Sequence, residues 1–299
     1  MSDAVRKPFS NEALGVIYGL GAYLCWGLFP IYWKMLLLVP SMQILAHRIV
    51  WAFIFTLALS IILKRQQAIR AVLASPRRLL SVIAAGVLVS FNWGLYIWAV
   101  NASRIIETSM GYYLNPLLSA ALGAIVLREK LDKGMIIAYV IAGMGIVFQS
   151  IVYGTLPWVS LSLAFTFAAY SLIKKMAALD ALTGMMMETA VVFPVALVFL
   201  VFEHRAGHGA FGLVGSLETG LLVMAGSVTA LPLMMYAAGV KRIALSKMGI
   251  IQYISPTSQF LLGVLLYGER IDLTRGIAFA CVVVALLIFG LTRTRTKPS

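Results

Sequence analysis

Ten runs of predominantly apolar residues, each long enough to cross a bilayer, leave this chain few ways to fold. They cover residues 13–33, 42–63, 79–100, 109–127, 134–151, 157–173, 184–202, 219–240, 248–267 and 276–292. A hydrocarbon core of about 30 Å needs roughly 17–25 such residues per helix. The connections are short, and none is long enough to be a soluble domain. Only 12% of the residues are charged and 61% are hydrophobic, whereas a soluble domain carries about 25% charged residues. The mean hydropathy is +0.95. The expected fold is therefore an all-α membrane protein of ten transmembrane helices, with the lipid bilayer as its main solvent.

The net charge of +13 would suit a nucleic-acid partner, but its placement argues against one. Basic residues sit in short segments between apolar runs, as they do when a multispanning chain sets its orientation. With the N-terminus taken as cytoplasmic and the sides alternating, 18 of the 24 Lys and Arg residues fall inside. They include Arg6 and Lys7, the group from Lys64 to Arg78, Arg128, Lys130, Lys133, Lys174, Lys175, Lys241, Arg242 and Lys247. Lys34, Arg48, Arg104, Arg205, Arg270 and Arg275 do not fit that side. A missed or invented span would break the alternation midway, so both termini are expected in the cytoplasm. The polar start of the chain carries no small-residue cleavage site of the signal-peptide kind.

The chain also repeats itself. Tyr113, Pro116, Leu122-Gly123, Glu129 and Asp132 recur 140 residues later as Tyr253, Pro256, Leu262-Gly263, Glu269 and Asp272. Upstream, Arg104-Ile105 and Met110-Gly111 recur at a spacing of 138 as Arg242-Ile243 and Met248-Gly249. Each half holds five runs, an odd number, so the second half must enter the membrane from the opposite side. Two inverted five-helix repeats characterise secondary transporters, whose substrate site lies near the midplane between them. Pro30, Pro116, Pro194, Pro232 and Pro256 interrupt the runs. Each removes a backbone donor and frees a carbonyl that needs a partner in lipid. Gly15, Gly19, Gly143 and Gly145 read as helix-packing positions. Cys25 and Cys281 read as core residues without a disulfide.

Polar residues inside spans are the functional candidates. Asn92 and Tyr96 are four apart in the third run, hence on one face. With Trp26, Arg48, Trp51, Tyr112, Asn115, Tyr236, Gln252 and Tyr253 they form the expected substrate-binding set. Aromatic faces with a few amides suit a small, flat or amphipathic organic solute. Trp33 and Trp158, near run ends, read as interfacial belt residues. Arg48 and Glu188 are also 140 apart. At 1.5 Å per residue they lie roughly 10 Å and 7 Å deep from opposite faces, too far apart along the normal to pair. Glu188 is the coupling candidate, and its alternative is a helix-end carboxylate near Lys174 and Lys175. The His204-x-x-x-His208 pair beside Glu203 reads as a solvated loop, so no metal is expected, and no cofactor motif is present.

The early Trp26-Gly27, Arg48 and the Pro-to-Glu-Arg stretch closing the ninth run resemble the drug/metabolite transporter superfamily, EamA type. The first half departs mildly, with Glu129-Lys130. The run Asn92-Trp93-Gly94-Leu95-Tyr96-Ile97-Trp98-Ala99-Val100-Asn101, followed by Gly111-Tyr112 and Asn115-Pro116, resembles the RarD subfamily. The resemblance implies a ten-helix inner-membrane permease that exports metabolites or drugs, and it carries a chloramphenicol-sensitivity label. It divides the chain into a cytoplasmic N-terminus (1–12), a first EamA repeat (13–152), a second (153–292) and a cytoplasmic C-terminus (293–299). The other class left standing is a membrane-embedded enzyme or sensor, which would need a nucleophile–base pair that is not visible. A homodimer is left open.

Overall fold

The computed structural model describes residues 10–126, 128, 133–240, 242–243, 248 and 251–295. The stretch Glu129-Lys130-Leu131-Asp132, Gly249, and the basic residues Arg6, Lys7, Lys241, Lys247 and Lys297 lie outside the described residues. Every regular element among those described is helical: α1 (Asn11–Lys34), α2 (Ser41–Ile62), α3 (Gln66–Leu73), α4 (Pro76–Asn101), α5 (Ile105–Val126), α6 (Lys133–Tyr153), α7 (Trp158–Ala177), α8 (Ala181–Arg205), α9 (Ser216–Val240), α10 (Ile254–Leu266) and α11 (Leu273–Arg295). Short α3 is amphipathic and lies where the sequence reads as a connection.

Among the described residues, six helices are long and apolar enough to cross a membrane: α1, α2, α4, α6, α8 and α9, with α10 and α11 as shorter apolar helices. Helices α5 and α7 are comparable in length but more polar, because both turn polar faces to protein. Thr108 and Ser109 of α5 and Ser160 and Thr166 of α7 are buried. The outward surface is apolar instead. Helix α1 exposes Ile17, Leu20, Leu24 and Leu28 along one stripe, and α6 exposes Ile136, Val140, Met144, Val147 and Ile151. An apolar stripe facing away from the protein has lipid as its solvent. The molecule is a multi-pass membrane protein.

Caps set where the helices begin. Ser10 accepts from the Ala13 amide at 3.1 Å, Asp180 from Thr183 at 3.1 Å and Asp272 from Arg275 at 2.9 Å. Helix α5 is capped in trans. Both carboxylate oxygens of Glu269 accept its first amides, Ile105 at 2.8 Å and Ile106 at 2.9 Å. This is the Glu of the Glu-Arg stretch in the second half, and it fastens the end of α10 to the start of α5.

Helix α2 packs on α8 and α9, α1 on α9 and α10, α4 on α7 and α8, α5 on α7 and α10, and α6 on α11. Small residues permit these crossings. A Cβ at Gly226 would lie 2.2–2.5 Å from backbone atoms of Trp51 and Ala52, and one at Gly86 would lie 2.7 Å from the Glu188 carbonyl oxygen. Gly15 and Gly19 pack on Ile243 and Met248, and Gly145 on Cys281, whereas Gly143 has nothing within 4 Å. Cys25 and Cys281 are free thiols.

Prolines 30, 116, 194 and 232 lie inside helices without ending them. Pro256 instead occupies the first turn of α10. Pro116 and Pro256, expected at matching places, thus sit mid-helix and at a helix start. The ends of the bundle are held by side chains. At one, Lys34 donates to Ser103 at 3.0 Å and Tyr153 to Asp272. At the other, Lys174 pairs with Glu188 beside Ser81. They are called the Lys34 and Lys174 ends below.

Candidate functional site

Arg48 is the centre of the site. It lies two turns into α2 and is 3% exposed. Its Nε donates to Thr229 Oγ1 on α9 at 2.9 Å. Its guanidinium lies 4.0 Å from the ring centre of Trp93, 5.0 Å from Trp33 and 5.8 Å from Phe29. Arginine tolerates such an enclosure because its flat, weakly hydrated face stacks on aromatic rings. Its edge is not satisfied that way, and Nη1 is buried without a hydrogen-bond partner. The ion pairs of the described residues do not include Arg48.

Around this cation the structure gathers part of the expected set. Tyr32, Tyr96 and Tyr112 belong to the same packed cluster as Trp33 and Trp93, the rings that enclose Arg48. The Tyr96 ring meets Tyr112 edge-on at 5.6 Å, and Tyr112 meets Phe167 of α7 at 6.2 Å. The Tyr96 hydroxyl and the indole nitrogens of Trp33 and Trp51 are buried and unpartnered. Asn92 is spent differently. Its Nδ2 donates to the Leu163 carbonyl at 2.9 Å and to Thr166 Oγ1 at 2.8 Å, tying α4 to α7, while Oδ1 stays free. Asn115 Oδ1 is likewise buried and unbonded.

Other members of the set lie in separate clusters. Trp26 and Tyr236 join Tyr23, with ring centres 5.0–6.0 Å apart. Tyr253 stacks on Tyr113 at 6.1 Å. Gln252 is half-buried at the turn before α10. Trp33, expected in an interfacial belt, is fully buried against Arg48. The loop after α8 closes over the neighbouring start of α2. Gln43 Nε2 donates to the His208 carbonyl at 2.8 Å and to Glu203 at 3.3 Å, and Gln43 Oε1 accepts from the Ala210 amide at 2.8 Å. Phe211 then stacks over His47 at 5.1 Å and reaches Trp51 at 6.3 Å. His204 and His208 are exposed, as a solvated loop requires, while Ala210 and Phe211 of the same loop roof the Lys34 end of α2. Gln43, Phe211 and Thr229 carry no motif, so sequence gave no signal for them.

Two further features frame the site. Gln259 Nε2 on α10 donates at 3.2 Å to the Trp26 carbonyl, the acceptor that Pro30 leaves without its helical donor. Thr108 donates to Gln259 Oε1 at 3.3 Å, so α1, α5 and α10 meet there. At the Lys174 end, Glu188 is 4% exposed and fully engaged, with Lys174 at 2.8 Å and the Tyr170 hydroxyl at 2.9 Å. Arg48 and Glu188 therefore have separate partners. A cavity of about 400 Å³ opens at the Lys34 end between Arg104, Glu107, Tyr267 and Arg275. No group of three His, Cys, Asp or Glu residues among those described could hold a metal ion.

The sequence profile of the EamA-like transporter family matches residues 13–151. An uncharacterized transporter, YojE, of Bacillus subtilis (strain 168) is 40% identical over 95% of this chain and 95% of its own length. Protein RarD of Streptomyces exfoliatus is 40% identical over 97% of this chain and 92% of its own. A crystal structure with a similar fold covers 95% of this chain and 100% of that one, with a TM-score of 0.61 at 18% identity.

Proposed function

The chain belongs to the EamA-like transporter family, and on that premise we propose that it is a secondary transporter of a small organic metabolite or drug. In this reading it works by alternating access, exports its solute across a bacterial inner membrane and has ten spans in two inverted repeats. The observation that carries the reading is Arg48, a buried cation of the first half held by Thr229 of the second. A solute placed there touches both halves, so their relative tilt decides which side it faces.

The packing supports the repeat. Helices α2 and α8 are counterparts and pack on each other, as do α5 with α10 and α6 with α11. Helix α1 against α9 corresponds to α7 against α4. Gly86 and Gly226, 140 apart, both admit a facing helix too close for a side chain.

A thermal-shift screen of organic solutes followed by counterflow in proteoliposomes tests transport. Asn92→Ala and Tyr96→Ala are expected to weaken solute binding by about 1–3 kcal/mol each. If both leave transport and protein level unchanged, the site is elsewhere. The coupling carboxylate in this reading is Glu188, which must release Lys174 to take up a proton. Glu188→Gln is expected to flatten the pH dependence of transport, and an unaltered profile would remove Glu188 from that role.

A further inference from the structure

We infer that the solute is a monoanion, with a carboxylate or similar oxyanion seated on Arg48 and a flat, apolar body among the surrounding rings. This rests on the transporter reading and names its substrate class. A buried charge persists only with compensation, because removing it from water costs far more than one neutral hydrogen bond returns. Arg48 has one such bond, to Thr229, and the ring faces of Trp93, Trp33 and Phe29. The rings cover its faces and leave the Nη1 edge unbonded. Glu107 is committed to Arg104 and Glu188 to Lys174, and Glu203 accepts from Gln43. His47, the preceding residue, stacks on Phe211.

Other buried donors of the same aromatic cluster lack an acceptor. The Trp33 indole N–H, on a ring 5.0 Å from the guanidinium, is buried and unpartnered, and so is the Tyr96 hydroxyl. Together with Nη1 these suit an oxyanion. A fixed carboxylate would satisfy them permanently and fill the site, whereas a transporter needs a counter-ion that leaves. The charge count limits the solute to one negative charge. Arg48 and Glu188 are the charged residues among the described ones that are buried, and Glu188 already has its cation. A dianion on Arg48 would bring an unbalanced charge into the core.

The test compares matched acids and amides on the purified full-length protein: phenylacetate with phenylacetamide, and benzoate with benzamide, at equal ionic strength. Thermal shift and quenching of tryptophan fluorescence are the readouts. The acids are expected to bind at least about tenfold more tightly than their amides. Arg48→Gln should abolish that preference and Arg48→Lys should retain part of it. Amides binding as well as acids, no binding of either acid, or an acid preference that survives in Arg48→Gln overturns the inference. If Arg48→Gln does not fold, the acid–amide comparison on the unaltered protein decides. Counterflow in proteoliposomes separates the two layers. A protein that binds the acids selectively but exchanges neither acid nor amide sinks the transport reading and leaves the anion site standing. Exchange of amides in preference to acids sinks the anion assignment and leaves transport standing.

Discussion

Gln259 answers a defect made more than two hundred residues earlier in the chain. Pro30 cannot donate to the Trp26 carbonyl, and in a lipid-embedded helix that acceptor has no water to turn to. Gln259 supplies the proton at 3.2 Å and accepts from Thr108 with its other end. Gln259→Leu should therefore destabilise the protein by about 1–3 kcal/mol, the cost of leaving buried polar groups unmade. The cause can be isolated with Pro30→Ala, which gives the helix its own amide back. In that background the loss from Gln259→Leu should shrink, because the Trp26 carbonyl no longer depends on the glutamine and its contacts with Thr108 and Ser255 alone remain to be lost. Thermal unfolding of the two single variants and the double variant measures this, and a loss of full size in the double variant would mean the Trp26 carbonyl is not what Gln259 serves. The sequence makes the need legible, since a proline in an apolar run frees a carbonyl wherever it occurs. It does not reveal the donor. Arg48 and Trp33 divide in the same way. The cost of an arginine in a span is visible from its surroundings in sequence, while Trp33 beside Lys34 reads as interfacial until its ring is seen buried among Arg48, Phe29 and Tyr32.

Crossing helices raise a different problem, that of how closely two backbones can approach. At Gly226 of α9 an added Cβ would strike the backbone of α2, which cannot step aside as a long side chain can. Gly226→Val should force α2 and α9 apart and cost at least about 1–3 kcal/mol. Thr229, on the same helix, would move with it and loosen Arg48. Gly143→Ala is the control, because nothing lies within 4 Å of its Cβ. There the change should be neutral or stabilise by up to about 1 kcal/mol through helix propensity. Equal losses at both sites in thermal unfolding would show that the close crossing is unimportant. Helix positions were readable from hydropathy because burial in lipid is a local demand, met residue by residue along 17 or more positions. Helix α3 escaped because it satisfies no such demand, being a short amphipathic turn among charged residues. Which glycines are crossings was equally hidden, since Gly143 and Gly145 look alike in sequence and only Gly145 meets another helix.

For the molecule as a whole, the two ends differ in how their charges are spent. At the Lys174 end, Lys64, Arg65, Arg70, Arg77 and Arg78 crowd one connection, and Lys174 and Lys175 close another. At the Lys34 end the cations are fewer and partly neutralised. Arg104 is held bidentate by Glu107 at 2.8 and 2.9 Å, and Arg275 lies 3.8 Å from Asp272. The Tyr153 hydroxyl and the Arg275 amide hold Asp272 below the usual carboxylate range, so it stays ionised beside its arginine at neutral pH. Orientation follows the excess of Lys and Arg in short loops, so the Lys174 end is predicted to face the cytoplasm. Reporter fusions at Arg70 and Asp180 should then read cytoplasmic and one at Gly207 periplasmic. The three sites also test the count. Helices α4, α5, α6 and α7 lie between Arg70 and Asp180, an even number, so those two must agree. A single further helix, α8, separates Asp180 from Gly207, so that pair must differ. Reversal of all three readings would sink the orientation and spare the helix count. Disagreement between Arg70 and Asp180 would instead mean that one of the more polar helices, α5 or α7, does not cross, and the inverted repeat would fall with it.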